Sequence, residues 1–116
     1  KVPNACAIAA VWYVAGAPDE ETVLRISRAF CNFKDEGLLD SEWQSLAKYF
    51  KISMRKVSFE QMRLRKFIKQ YPKGMYFVST HDHLFVVDNG IIIDPRCARP
   101  PGLDRMIRWA WNATRA

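Results

Sequence analysis

Little in this chain could serve as a covalent or metal scaffold. It has three cysteines, Cys6, Cys31 and Cys97, and an odd count leaves at least one thiol unpaired. None stands in a Cys-x-x-Cys pair or beside a histidine at zinc spacing, so neither a disulfide framework nor a structural zinc site is indicated, and no metal or cofactor is expected. A reducing compartment, a cytoplasm, is the expected setting. Long apolar runs are also missing: the longest, Ala5 to Ala15, is too short to cross a bilayer and is closed by Gly16 and Pro18, which predicts no membrane span. No charged segment precedes it as in a secretion signal, and the sequence opens on Lys1 instead of Met, so it reads as processed, trimmed or cut from something longer. With no internal repeat, no low-complexity tract and no sign of a second domain, residues 1–116 are expected to fold as one domain.

What is present is enough apolar material for a core, 49% hydrophobic and 13% aromatic residues, which excludes a disordered chain. The formal net charge of +6 admits an acidic partner or nucleic acid. Much of the excess is local, however: Arg55, Lys56, Arg63, Arg65, Lys66, Lys69 and Lys73 fall in one segment. Its helical part places them on the faces left by Phe59, Met62, Phe67 and Ile68, as on a solvated helix, so nucleic acid is the less favoured partner.

The pattern predicts a helix from about Ala5 to Ala15, with Asn4 as N-cap, Pro3 outside it and Gly16 as the stop. It is apolar all round, which marks a buried, central helix. A second helix starts at Pro18 with Asp19, Glu20 and Glu21 in its first turn and buries Val23, Leu24, Ile26 and Phe30. A third, capped by Asp40, runs from Ser41 to Phe50 with Trp43, Leu46, Ala47 and Phe50 inward. Lys51 to Val57 alternates as a short strand, and Ser58 with Gln61 forms a capping box opening a helix to about Gln70. Three strands follow: Met75 to Thr80, His83 to Asp88 and Ile91 to Asp94. Asn89-Gly90 between the last two is a strong type I′ hairpin signal. After a loop from Pro95 to Gly102, Leu103 to Ala113 is expected to be helical. Helices first and a small antiparallel sheet later make the class α+β.

Cysteine attacks as the thiolate, and its ordinary pKa of about 8.5 leaves only a few per cent ionised at neutral pH. The N-terminus of a helix and a neighbouring imidazolium both favour the ionised form. Cys6, two residues past Asn4, has the first by position, and the unpartnered N–H groups of that turn can receive an oxyanion. Cys31 sits near a helix C-terminus and Cys97 in a Pro-rich loop, so Cys6 alone is placed as a nucleophile. The plainer alternative is a small buried apolar residue in an Ala-rich helix.

The hairpin supplies a base. A two-residue Asn89-Gly90 turn pairs Asp88 with Ile91 and Phe85 with Asp94, so His83 lies diagonal to Asp94 on the same face, about 7 to 8 Å apart in backbone terms. A carboxylate there can hold the imidazole in one tautomer. Asp82 points the other way, His81 is a surface or supporting residue and not a metal ligand, and Asp88 is a turn residue and second candidate for the carboxylate role.

Asn4-Ala5-Cys6-Ala7 at a helix start, then His83-Leu84-Phe85-Val86-Val87, then Asn89-Gly90-Ile91-Ile92-Ile93-Asp94-Pro95 resemble the papain-like cysteine peptidase superfamily, its bacteriocin-processing branch above all. The segment Lys66 to Gly74 before the hairpin is similar to small uncharacterised tailed-phage proteins. The resemblance implies a papain-like fold, in which the central Cys helix packs on a C-terminal sheet. It also implies a thiol peptidase or isopeptidase acting on a peptide or protein, in a host cytoplasm or a virion if viral. Cys6 would be nucleophile, His83 acid and base, and Asp94 the orienting carboxylate. The family's oxyanion glutamine would precede Lys1, which leaves Asn4 as the candidate here. A catalytically inactive module binding a host protein or nucleic acid through its basic helix is the alternative, and an acyltransferase or transglutaminase with the same triad is a third reading.

Overall fold

The structure is a computed structural model that describes residues 4–19, 21–22, 25, 40–57, 60–81, 83–94 and 101–115. Its class is α+β, built on a five-stranded antiparallel sheet. The helices are α1 (Asn4–Val14), α2 (Asp40–Tyr49) and α3 (Leu64–Gln70). The strands are β1 (Ile52–Lys56), β2 (Met62–Arg63), β3 (Met75–Ser79), β4 (Leu84–Asp88), β5 (Ile91–Ile93), β6 (Met106–Ile107) and β7 (Trp109–Arg115). The sheet order is β1-β7-β3-β4-β5, and β2 pairs separately with β6. No helix among the described residues is long and apolar enough to cross a membrane.

Helix α1 lies where its all-round apolarity places it, packed against β4 and α2, with Ala7, Ala10 and Val11 fully buried. The alanines let its backbone approach the sheet closely. It ends as the sequence predicts: Gly16, at φ +90°, donates its N–H to Tyr13 O and Ala17 donates to Trp12 O, a Schellman closure that needs the left-handed conformation glycine supplies. Asp19 caps the next segment, accepting from the Thr22 backbone N–H at 3.0 Å and its hydroxyl at 2.9 Å, and Glu21, Thr22 and Arg25 are helical. The inward residues predicted beyond, with Cys31, Cys97 and Asp82, lie outside the described residues. In α2, Trp43, Leu46 and Ala47 are buried as the periodicity predicts.

The predicted helix over 103–113 is instead β6 and β7, and β7 is an interior strand of the sheet, between β1 and β3. Both faces of β7 are covered: Trp111 and Ala113 join the core under α1 and α2, while Ala110 joins the core on the opposite face with Phe67 and Ile107. A strand buried on both sides loses its period of two, and Ala-Trp-Ala spacing then passes for a helix. The sheet is correspondingly larger than the small C-terminal sheet expected, since β1 joins it through β7. The capping box is the second correction. Gln61 is not helical, Met62 and Arg63 pair with Ile107 and Met106, and the helix begins only at Leu64. A tertiary strand partner, which the capping pattern cannot anticipate, overrides local preference there.

Two cores thus sandwich the sheet. Under α1 and α2, Trp43 packs 5.0 Å from both Phe77 and Trp111, centroid to centroid. On the other side Phe67 of α3 meets Tyr76 edge-on at 5.3 Å. Arg55, Lys56, Arg63, Arg65, Lys66, Lys69 and Lys73 are all exposed, as on a solvated face.

Candidate active site

The β4–β5 hairpin has the register its turn dictates: Asp88 pairs with Ile91, Val87 with Ile92 and Val86 with Ile93. Asn89 at φ +49° and Gly90 at φ +80° make the two-residue turn. Asn89 is also tied outward: its Oδ1 accepts from Gly74 N–H, and its own N–H donates to Gly74 O, each at 2.8 Å. The ladder stops one residue short of the expected ends, so His83 and Asp94 each stand just beyond their strand. Released from the ladder, the two side chains close the diagonal. His83 Nε2 is 2.5 Å from Asp94 Oδ2, and the Asp94 side chain is 1% exposed against 23% for His83. The His83 ring is further held by stacking on Phe85, 5.8 Å between centroids.

The third member arrives through packing. Because α1 lies along β4, its N-terminal turn comes to the end of the strand where His83 stands, and the Cys6 side chain is hydrogen-bonded to His83. With Nε2 engaged by Asp94, Nδ1 is the ring nitrogen left for the sulfur. Cys6 is buried, 6% exposed, so the sulfur lies at the margin of the core. The opposite end of α1 fixes the alignment, where Tyr13 Oη donates to Asp88 Oδ2 at 2.8 Å. This bond holds Tyr13 above its ordinary pKa of 10.0, the hydrogen bond being the main cause and burial the next.

His83 is pushed up to about 9 from an ordinary 6.5. The hydrogen bond to Cys6 is the largest cause; burial opposes it, and the Asp94 hydrogen bond and the charges of both partners add to it. The shift favours the imidazolium form, set between a sulfur and a carboxylate.

The structure brings Cys6, His83 and Asp94 into one hydrogen-bonded chain. It does not bring in Asp88, which serves Tyr13, nor His81, which is exposed with its Nδ1 3.4 Å from Arg108 Nη1. Asn4 opens α1, and its side chain lies outside the described part. Cys6 is the third residue of that helix and so stands in its first turn, at the positive end of the helix dipole.

Several neighbours of the site have no sequence signal. Thr80, 4% exposed, donates its N–H to His83 O at 2.9 Å and so closes the loop that carries the histidine. Arg105 and Arg108 border the same loop, having been expected on the helix that β6 and β7 replace. No family model, no curated protein and no solved structure matches the chain.

Proposed function

We propose that this protein is a small papain-like thiol hydrolase that cleaves a peptide or isopeptide bond through an acyl-enzyme on Cys6. The observation that carries this reading is the continuous hydrogen-bonded chain from Cys6 through His83 to the buried Asp94. A sulfur at a helix N-terminus beside an imidazolium is the setting in which cysteine attacks as thiolate.

In the proposed cycle, Cys6 Sγ bonds to the carbonyl carbon and the carbonyl oxygen takes the negative charge, received by N–H groups of the first turn of α1. Collapse breaks the carbon–nitrogen bond while imidazolium His83 gives its proton to the leaving amine. Neutral His83 then removes a proton from water, whose oxygen attacks the thioester. The acid leaves, and Cys6 and protonated His83 are restored. Asp94 keeps its contact with Nε2 throughout, which holds Nδ1 toward the sulfur and favours the cation. Such a thiol needs a reducing compartment, for which a cytoplasm is the proposed location.

Iodoacetamide labelling tests the reading. Cys6 is expected to alkylate much faster than Cys31 or Cys97, and His83→Ala to abolish that advantage; equal, slow labelling of all three thiols overturns the proposal. For peptide turnover, His83→Ala is expected to cost on the order of a hundredfold to ten-thousandfold, the usual worth of a positioned acid and base. An acyltransferase would share the acyl-enzyme but pass it to an added amine faster than to water. A binding module acting through α3 would keep salt-dependent binding in Cys6→Ala.

A further inference from the structure

Of the tryptophans, Trp43 and Trp111 are buried, and Trp12 is half-buried with its indole N–H donated to Pro18 O at 2.7 Å. Trp109 differs: it is 38% exposed although β7 is an interior strand. A single exposed tryptophan needs no explanation in itself, and what gives this one a meaning is its place. Its side of the sheet follows from the pleat. Trp111, two residues on, belongs to the core under α1 and α2, as do Cys6 and Leu84, so Trp109 points to the side on which Cys6 lies.

Its end of the sheet follows from the register. Ser79 of β3 pairs with Trp109 of β7 on one flank and with Leu84 of β4 on the other. His83 precedes Leu84 and continues that pairing, its C=O accepting from Thr80 N–H. Leu84, Ser79 and Trp109 therefore form one row across three strands, with the proposed site at the first end and an exposed indole at the last. Neighbouring strands lie about 4.8 Å apart, so the two ends are about 10 Å apart in backbone terms. Leu84 and Ser79 are buried, so the row has a closed floor, and Trp109 is the part of it that meets solvent. Lys56, on the adjacent strand β1, holds its ammonium 3.7 Å from the centroid of that ring.

We infer that Trp109 is a specificity-determining residue of the proposed hydrolase, its indole receiving an apolar side chain of the peptide substrate. The inference rests on the thiol-hydrolase reading. An extended peptide advances about 3.3 Å per residue, so about three residues cover the span, and the side chain received lies that far from the scissile carbonyl at Cys6. Contact removes apolar surface of both partners from water, and an aromatic ring supplies more of it than any other side chain at this end of the row.

Paired alkylation of Cys6 in the full chain separates this inference from the reading beneath it. Iodoacetamide reports the thiol alone. N-phenylpropyl iodoacetamide carries a phenyl ring on an extended chain toward Trp109, and N-hydroxybutyl iodoacetamide carries a polar end on a chain of similar length. With rates normalised to those for glutathione, the phenylpropyl reagent is expected to react with Cys6 of the parent roughly three- to tenfold faster than the hydroxybutyl one, the usual worth of an aromatic contact. Trp109→Ala is expected to abolish that preference and Trp109→Phe to keep most of it. Equal normalised rates in the parent, or a preference that survives Trp109→Ala, overturn the subsite while rapid iodoacetamide labelling of Cys6 leaves the thiol site standing. Equal rates joined to protection of Cys6 by single-stranded DNA, lost in Trp109→Ala, overturn it in favour of base stacking on the same ring. Slow, equal iodoacetamide labelling of the three cysteines overturns the underlying reading and the subsite with it.

Discussion

His83 is the residue on which three parts of the chain converge: the first turn of α1 through Cys6, the end of β5 through Asp94, and the aromatic face of β4 through Phe85. Its elevated pKa depends on both polar partners, so each contributes separately. Replacing Asp94 by Asn keeps an acceptor for Nε2 and removes the charge. The expected result is a lower His83 pKa by NMR titration and slower Cys6 alkylation at neutral pH, with the fold intact. Asp94→Ala also leaves a buried gap beside the ring, and a larger loss is expected in both measurements. Cys6→Ala removes the largest cause of the shift, and the His83 titration should again move down toward 6.5. A His83 titration unmoved in both Asp94→Asn and Cys6→Ala would mean that neither contact sets the proton.

At the scale of elements, the hairpin is the part best legible in the sequence. Asn89-Gly90 specifies a two-residue turn, the turn specifies the register, and the register brings His83 and Asp94 together on one side. Gly90→Ala tests that chain of consequence. Its added Cβ would meet Pro72 O at 3.5 Å and Ile68 Cγ2 at 3.6 Å, ordinary contacts, so the cost is that of φ +80° itself, about 1–2 kcal/mol in a denaturant titration. Helix α1 was legible too, down to its Gly16 closure, and so was the placement of Cys6 in its first turn. What the sequence could not show is where α1 docks. The Tyr13–Asp88 bond and the packing on β4 decide that, and neither leaves a local pattern. Tyr13→Phe is expected to cost about 1 kcal/mol, the usual worth of a hydrogen bond, and to loosen the helix alignment. Strand β7 was illegible for the opposite reason: with Trp111 and Ala113 buried on one face and Ala110 on the other, its middle carries no alternation. Misplacing it also hid Arg105 and Arg108 from the site.

For the whole molecule, two cores on either side of one sheet make the fold insensitive to most surface charge, so its pH dependence near neutrality should be set by the few groups the fold perturbs. Asp19 is held below its ordinary value by the Thr22 hydrogen bonds, but it is fully exposed and acts only in acid. Tyr13 and Tyr76 are both held above 10.0, so the neutral phenols they favour add stability that is lost only above that pH. Between these limits stands His83, raised from 6.5 to about 9. A group raised on folding adds stability that is complete below its unfolded pKa and disappears as the pH climbs through its folded one. The imidazolium contribution should therefore be whole below about pH 6.5 and decline through about pH 9. Urea midpoints measured in steps from pH 6 to about 10 are expected to fall across that window in the parent chain. In His83→Gln the slope between about pH 6.5 and 9 should flatten, while the further loss from the two tyrosines above about pH 10 remains. A parent curve that is level across the window, or a His83→Gln curve that keeps the same slope, would show that the imidazolium at the end of β4 does not stabilise the fold.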